Sequence, residues 1–465
     1  MMRRTTIKKT HRKFHIGYTQ VIVISFLLAI LVGAGLLTLP ISSRAGQWTD
    51  FTSCLFTATS ATCVTGLTVK DTLTHWSTFG HVVIICLIQI GGLGVMTIFS
   101  LFSIILSKNA SLHSRALAMQ ASGAVSYQSI YDQLKRILKG TFLFEFLGAV
   151  ALGFRFVPKF AVDGGFRGII KGIWYSVFHS VSAFCNAGFD LSGPEVGSLV
   201  GFNRDPLVMI TIAILIITGG IGFLVWDDFV KHKLRFHYYS LHSKISLFVT
   251  FLLLTLGTGA FYGLEFRNAA TIADMSIGER ILNSFFQATT LRTAGFYSVP
   301  QGNLSDGSVM LSDFLMLIGG SAGSTAGGMK TTTFAVLVIS VLTGFKKNGV
   351  VTVFKRKISD ENVRNAHCIA IIYVITAVLA TTAICAIDYN TPGVSTRSIF
   401  FEVASAIATV GASMGVTASL ATASKYILIF LMFVGRIGGL TFLLTFTGAN
   451  KNQETSRPSE NVVIG

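Results

Sequence analysis

Four short segments of this chain read alike: "FTATSATCVTGL", "FHSVSAFCNAGF", "FFQATTLRTAGF" and "FEVASAIATVGA". Aligned on Gly66, Gly188, Gly295 and Gly411, each has a phenylalanine ten residues upstream (Phe56, Phe178, Phe285, Phe401). A hydroxyl stands six residues upstream (Ser60, Ser182, Thr289, Ser405), and successive glycines lie 107 to 122 residues apart. Fixed-period self-similarity of this kind dictates the architecture before any single element does. Each segment lies between two apolar runs, so the chain reads as four run–loop–run units in tandem. Two runs per unit is an even number. All four units would therefore enter a membrane in the same direction and could surround an axis along its normal, unlike inverted-repeat transporters.

The apolar runs fall at about 18–39, 80–106, 137–157, 206–226, 245–264, 311–342, 367–387 and 424–447, close to the roughly 20 residues that cross a bilayer. Only 12% of residues are charged, about half the share usual in soluble chains, which identifies a polytopic membrane protein. The first run is longer than a signal-peptide core and no A-x-A site follows it. Six cysteines (Cys54, Cys63, Cys86, Cys185, Cys368, Cys385) lack metal-ligand spacing and read as small packing residues. The net charge of +16 concentrates before the first run and in alternate connections, around Lys108–Lys139, Lys231–Lys244 and Lys346–Arg364. That is the positive-inside pattern: it places both termini in the cytoplasm and assigns the charge to topology and anionic lipid rather than nucleic acid.

A loop of about twelve residues cannot cross a bilayer, but it can dip in as a half-helix and return where protein or a water-filled cavity surrounds it. Glycine at the turn opens backbone conformations closed to other residues. Four such loops around one axis could present rings of carbonyls that replace a cation's hydration shell, with half-helix C-termini directed at the ion. The residues just before the glycines are Val64-Thr65, Asn186-Ala187, Thr293-Ala294 and Thr409-Val410. Without an Asp or Glu ring, the pattern favours potassium over a divalent or sodium filter.

The stretch "GGSAGSTAGGMKT" is nearly a phosphate-binding P-loop, but Met329 occupies the lysine position, Lys330 is one residue late, and the flanks are apolar rather than strand and helix. Sister units carry only "QIGGLG", "ITGGIGF" and "GRIGGLTF" at this place. The third unit instead strings together Gly319, Gly320, Ser321, Ala322, Gly323, Ser324, Thr325, Ala326, Gly327 and Gly328. Each interior glycine costs a helix about 1 kcal/mol, so a broken helix, with a flexible loop beneath the filter, is expected. Lys330 would either cap that helix or mark its cytoplasmic end. Arg436 is alone in "IFLMFVGRIGGLTFLL", and a charge there should face a cavity or partner. It is expected to reach carbonyls of the small-residue loop and hold it closed as a positive barrier. Arg292 is expected to point away from the filter and pair with Glu402, Glu279 or Asp313. Glu145 reads as a packed residue.

Taken together, "TSATCVTGL", "SAFCNAGFDL", "TTLRTAGF", "ATVGASMG", "GGSAGSTAGGMKT" and "GRIGGLT" resemble the Trk/Ktr/HKT superfamily of potassium transporters, most closely KtrB-type membrane subunits, over roughly residues 15 to 450. The resemblance implies an all-α membrane fold of eight transmembrane helices and four re-entrant half-helices in pseudo-fourfold arrangement around one pore. Its units would be a basic N-terminus 1–17, repeats 18–106, 137–226, 245–342 and 367–449, a linker 107–136 and a tail 450–465. It further implies a potassium filter formed by Cys63-Val64-Thr65-Gly66, Cys185-Asn186-Ala187-Gly188, Arg292-Thr293-Ala294-Gly295 and Ala408-Thr409-Val410-Gly411. In such proteins a serine at the first filter position accompanies sodium preference, so Gly66 argues for potassium. A gating loop in repeat 3, sodium stimulation, a homodimer with one pore per subunit and a cytosolic ring of nucleotide-binding regulatory subunits are implied as well. No soluble regulatory domain follows the last run, so nucleotide control would need a separate chain. No cofactor and no enzymatic activity are expected, the longest cytoplasmic connection being too short to fold a pump's soluble domain. Channel-like conduction and K+/Na+ or K+/H+ symport remain open as alternatives at this point.

Overall fold

The computed structural model describes residues 18–94, 127–193, 197–344 and 351–438. In chain order its helices are α1 (Tyr18–Thr38), α2 (Phe51–Thr62), α3 (Thr72–His75), α4 (Thr78–Leu93), α5 (Tyr127–Phe184), α6 (Pro206–Ile221) and α7 (Phe223–His232). They continue as α8 (Leu241–Glu265), α9 (Ile277–Thr290), α10 (Asp306–Leu317), α11 (Thr331–Gly344), α12 (Asp360–Ile387), α13 (Thr396–Ala408) and α14 (Thr422–Ile437). A two-residue β-hairpin (Thr352–Val353 with Arg356–Lys357) precedes α12.

Polar residues start most of these helices, and glycines stop three of them. Asp50 accepts from Ser53 N ahead of α2, and Asp205 accepts from Leu207 N, with Pro206 opening α6. Ser276 and Glu279 form a full capping box on α9. Three helices end on a glycine in the positive-φ region: Gly94 after α4 (φ +81°), Gly222 after α6 (+103°) and Gly438 after α14 (+92°). Gly165 (φ +53°) folds α5 back on itself as a hairpin, in which Gly168 lies against Phe160 O and Gly172 against Val157.

Among the described residues, Leu134–Val162, Leu241–Glu265 and Asp360–Ile387 are long and apolar enough to cross a membrane. The expected run 206–226 is not straight: α6 and α7 would pass together, but they are bent by 92° at Gly222. The run 311–342 is likewise two helices, α10 and α11, separated by an irregular loop. Val23–Thr38, Thr78–Leu93 and Thr331–Thr343 are shorter apolar helices, and the runs 80–106 and 424–447 pass outside the described residues. Large apolar side chains such as Phe146, Phe154, Phe251 and Leu379 stay exposed on the long helices, as a lipid solvent permits. Lipid tails supply no hydrophobic drive between helices, so close packing and internal hydrogen bonds must hold them together. Many of the fully buried polar residues gather instead around the short helices α2, α9 and α13 and the returning arm of α5.

Candidate functional site

Each of these four short helical segments runs into a loop that carries one repeat glycine, and the loops share one backbone path. Val64, Asn186, Thr293 and Thr409, two residues before each glycine, have φ of +57°, +58°, +70° and +53°. Gly66, Gly188, Gly295 and Gly411 follow at +102°, +70°, +79° and +88°. Non-glycine residues seldom adopt positive φ, so its fourfold recurrence marks a conformation held by its surroundings.

The four glycines close a ring. A methyl carbon on Gly66 would lie 2.5 Å from Ala187 O, and one on Gly188 2.6 Å from Ala294 O. One on Gly295 would strike Val410 O, and one on Gly411 would strike Thr65 O, returning to the first loop. Only glycine fits at these positions, by backbone angle and by space. All four line one cavity of about 450 Å³, together with Asp71, Asp190 and Tyr297. Asp190 follows α5 in the connection to α6, outside the long helices. Burial pushes its carboxyl up to about 6; the nearby Asp71 charge adds to the rise, and the Ser192 N–H opposes it.

Hydroxyls anchor the loops, with one correction to the expected register. Ser60 Oγ accepts from Gly66 N at 3.0 Å and Ser405 Oγ from Gly411 N at 2.9 Å, while Ser182 Oγ donates to Phe189 O at 2.7 Å. In the third unit Thr290, not Thr289, does this work: its Oγ1 donates to Phe296 O at 2.5 Å, while Thr289 bonds back to Phe285 O. Phe286, not Phe285, is the fully buried counterpart of Phe56, Phe178 and Phe401. The third loop therefore reaches its glycine in one residue fewer.

Close packing fixes the ring against the second helix of three units. Gly91, Gly219 and Gly435 face Thr62 O, Phe184 O and Ile407 O, each carbonyl four residues before its ring glycine. This alignment pairs Gly435 with Gly91 and Gly438 with Gly94, so Arg436 stands where the first unit has Gly92 and the second Gly220. Sequence inspection, matching Gly-Gly to Gly-Gly, missed this; the shared G-x-x-G spacing was the available signal.

The third unit differs. Its loop between α10 and α11 is pinched at the base, Gly319 N donating to Met329 O at 2.8 Å and Thr331 N to Gly320 O at 3.1 Å. It runs under the glycine ring. Thr325 Oγ1 donates to Phe184 O at 3.2 Å, Gly327 abuts the Thr409 side chain and Gly328 faces Ala408 O. Ser321 N donates to Gly220 O at 2.9 Å, and Gly323 O accepts from Phe223 N at 2.7 Å, tying the loop to the α6–α7 bend. Ser324 Oγ closes an internal turn on Ser321 O, while Ala326 packs against Gly320. Ala322 O lies 2.8 Å from where a Gly222 methyl would stand.

Arg436 bridges that loop to the first unit: Nη1 donates to Thr325 O, and Nη2 to Gly91 O at 2.5 Å and Gly92 O at 3.5 Å. The last two carbonyls end α4, where the helix dipole favours a cation. Lys330 stands directly before α11, at a helix end, and turns its Nζ back onto Ala326 O (2.7 Å) and Gly327 O (3.4 Å).

The expected carboxylate partner of Arg292 is absent among the described residues. Its Nη2 donates to Thr250 Oγ1 of α8 at 3.1 Å, behind the loop. Glu279 serves the α9 capping box, and Glu402 accepts from Ser413 Oγ, Met414 N and Thr417 Oγ1, fixing the chain after Gly411. Asp313 Oδ1 is buried without a partner. The Cys185 thiol faces Gln89 Oε1 at 3.6 Å and Glu145 Oε1 at 3.9 Å, and Cys63 is fully buried. Of the four quartets, the side chains of Arg292 and Cys185 thus turn back into the scaffold.

The chain is similar to known cation transport proteins. The TrkH family of cation transport proteins matches residues 2–455. The chain is 39% identical over 463 residues to "Potassium/sodium uptake protein NtpJ" of Enterococcus hirae, spanning 99% of this chain and 100% of that protein. It is also 39% identical to "Ktr system potassium uptake protein B" of Bacillus subtilis, over 92% of each. The fold matches the crystal structure of the potassium transporter TrkH from Vibrio parahaemolyticus with a TM-score of 0.71, covering 95% of this chain and 87% of that one at 18% identity. The chain is an integral membrane protein of the TrkH/Ktr family of cation transporters.

Proposed function

We propose that the chain is the potassium-translocating subunit of a bacterial uptake system, selecting K+ at the ring of Gly66, Gly188, Gly295 and Gly411. The observation that carries this reading is the closed ring: each glycine abuts the next loop's carbonyl in cyclic order, at the floor of one cavity. Four units of equal direction around an axis supply backbone oxygens rather than carboxylates, the arrangement suited to stripping water from K+. The quartets named above line this filter by their backbone. The loop from Gly319 to Lys330 acts as the gate, latched by Arg436 between Thr325 O and the end of α4.

The relatives' printed names also support potassium, and one includes sodium. We take Na+ as an activator and K+ as the transported ion. A homodimer on a cytosolic nucleotide-binding ring, in the plasma membrane with both termini cytoplasmic, completes the reading. The test is growth of a potassium-uptake-deficient bacterium at limiting K+, with and without Na+. Rescue by the wild type that Gly66→Ser abolishes or converts to sodium preference is expected. Rescue indifferent to that substitution would remove the ring from the filter role.

A further inference from the structure

A second cavity, of about 580 Å³, lies away from the ring, among the first turns of the α5 span, the α6–α7 bend and the start of α8. Its volume is in the range of small-molecule sites, roughly 300–1,000 Å³. The walls are apolar, built from Leu143, Phe144, Ile221, Phe223 and Trp226, and the Trp226 indole already donates to Thr218 O at 3.2 Å. Gly140 admits the Trp226 ring closely, since a methyl there would lie 2.7 Å from it. Leu143, Phe229 and Val230 at the mouth are more than half exposed, so the cavity opens outward.

The rim is basic. Arg136 Nη2 lies 2.9 Å from Asp227 Oδ1, and Lys231 Nζ 2.5 Å from Asp227 Oδ2. Lys139, also at the rim, is exposed and has no ion pair among the described residues. Three cations against one carboxylate leave two positive charges at the mouth of an apolar slot. The rim sits at one end of the Leu134–Val162 helix, the end that would meet a bilayer's headgroup zone where that helix crosses a membrane. Basic pockets between spanning helices suit anionic headgroups, and the apolar slot below suits an acyl chain.

The geometry points to a binding site for one anionic phospholipid, with the phosphate at Arg136 and Lys139 and an acyl chain between α5 and α7. Phe223 links this site to the proposed gate: its ring lines the cavity and its N–H holds Gly323 O of the 319–330 loop. An occupant wedged beside Phe223 braces the bend that carries that bond. This coupling rests on the gate reading; the binding itself does not.

The binding test is native mass spectrometry of the full protein from detergent, after equilibration with phosphatidylglycerol or phosphatidylcholine. One phosphatidylglycerol retained per chain is expected. The R136Q/K139Q pair should weaken retention five- to thirtyfold, at about fivefold per surface cation, and R136K/K139R should restore it. Leu143→Trp, which fills the slot, should abolish retention while leaving the rim charges in place. A photoactivatable phosphatidylglycerol should label peptides around 136–144 and 223–230. Equal retention of the two lipids, retention indifferent to both variants, or a slot occupied by a second copy or by residues 95–126 would overturn the site. In vesicles of phosphatidylcholine with and without 25% phosphatidylglycerol, wild-type K+ flux should differ at least twofold, and R136Q/K139Q flux should not. Flux equal in both vesicles with binding intact would overturn the coupling alone.

Discussion

At Gly411 a single hydrogen atom is the largest side chain the ring admits. The φ of +88° would cost another residue about 1–2 kcal/mol, and a methyl group would meet the Thr65 carbonyl. Strain of that size corresponds to about a tenfold change in rate. Gly411→Ala should therefore cut K+ uptake at least tenfold at unchanged membrane abundance, measured by rubidium influx. Asp190 offers a titration at the cavity above the ring. Its carboxyl, raised to about 6, is neutral below that pH and negative above it. Influx should rise as the pH on the cavity's side of the membrane climbs through about 6, because a negative mouth concentrates cations, and Asp190→Asn should flatten that rise. The ring glycines were legible because their spacing repeats four times. Thr290 was not, since the neighbouring Thr289 offers the same hydroxyl to an alignment without three-dimensional register. Arg292 misled for a related reason: charge suggested a carboxylate, whereas its contact is the Thr250 hydroxyl, 42 residues distant along the chain.

Elements add what residues cannot show. The break between α10 and α11 was readable in the run of small residues, but the 92° bend at Gly222 was not, because "ITGGIGF" is apolar throughout. Hydropathy measures length and greasiness, and a positive-φ glycine leaves both unchanged. The bend places Phe223 N on Gly323 O, so two units share the loop. Arg436 adds the first unit through Gly91 O. If the loop is the gate, Arg436→Ala should raise K+ flux several-fold in proteoliposomes, since it removes both the bridge and a positive charge near the path. Arg436→Lys should restore part of the restraint. Unchanged flux in Arg436→Ala would detach the arginine from gating.

At the scale of the whole molecule, the repeats explain why ring closure needs all four units: each glycine's neighbour lies in the next unit, and the last returns to the first. An even number of apolar runs per unit is the sequence's ground for expecting the four units to share one direction. The assembly follows a separate logic. If the 50.1 kDa chain works as the proposed homodimer, light scattering should give twice that mass after subtraction of detergent. A 50.1 kDa particle with full transport would contradict the dimer. Selectivity for K+ is proposed to reside in the glycine ring. It is tested most directly by K+ and Na+ fluxes in proteoliposomes for the wild type and Gly66→Ser. Strong K+ preference is expected in the wild type, with at least a tenfold fall in the K+/Na+ ratio in the variant. A wild type that does not distinguish the ions, or a ratio unmoved by the serine, would contradict it.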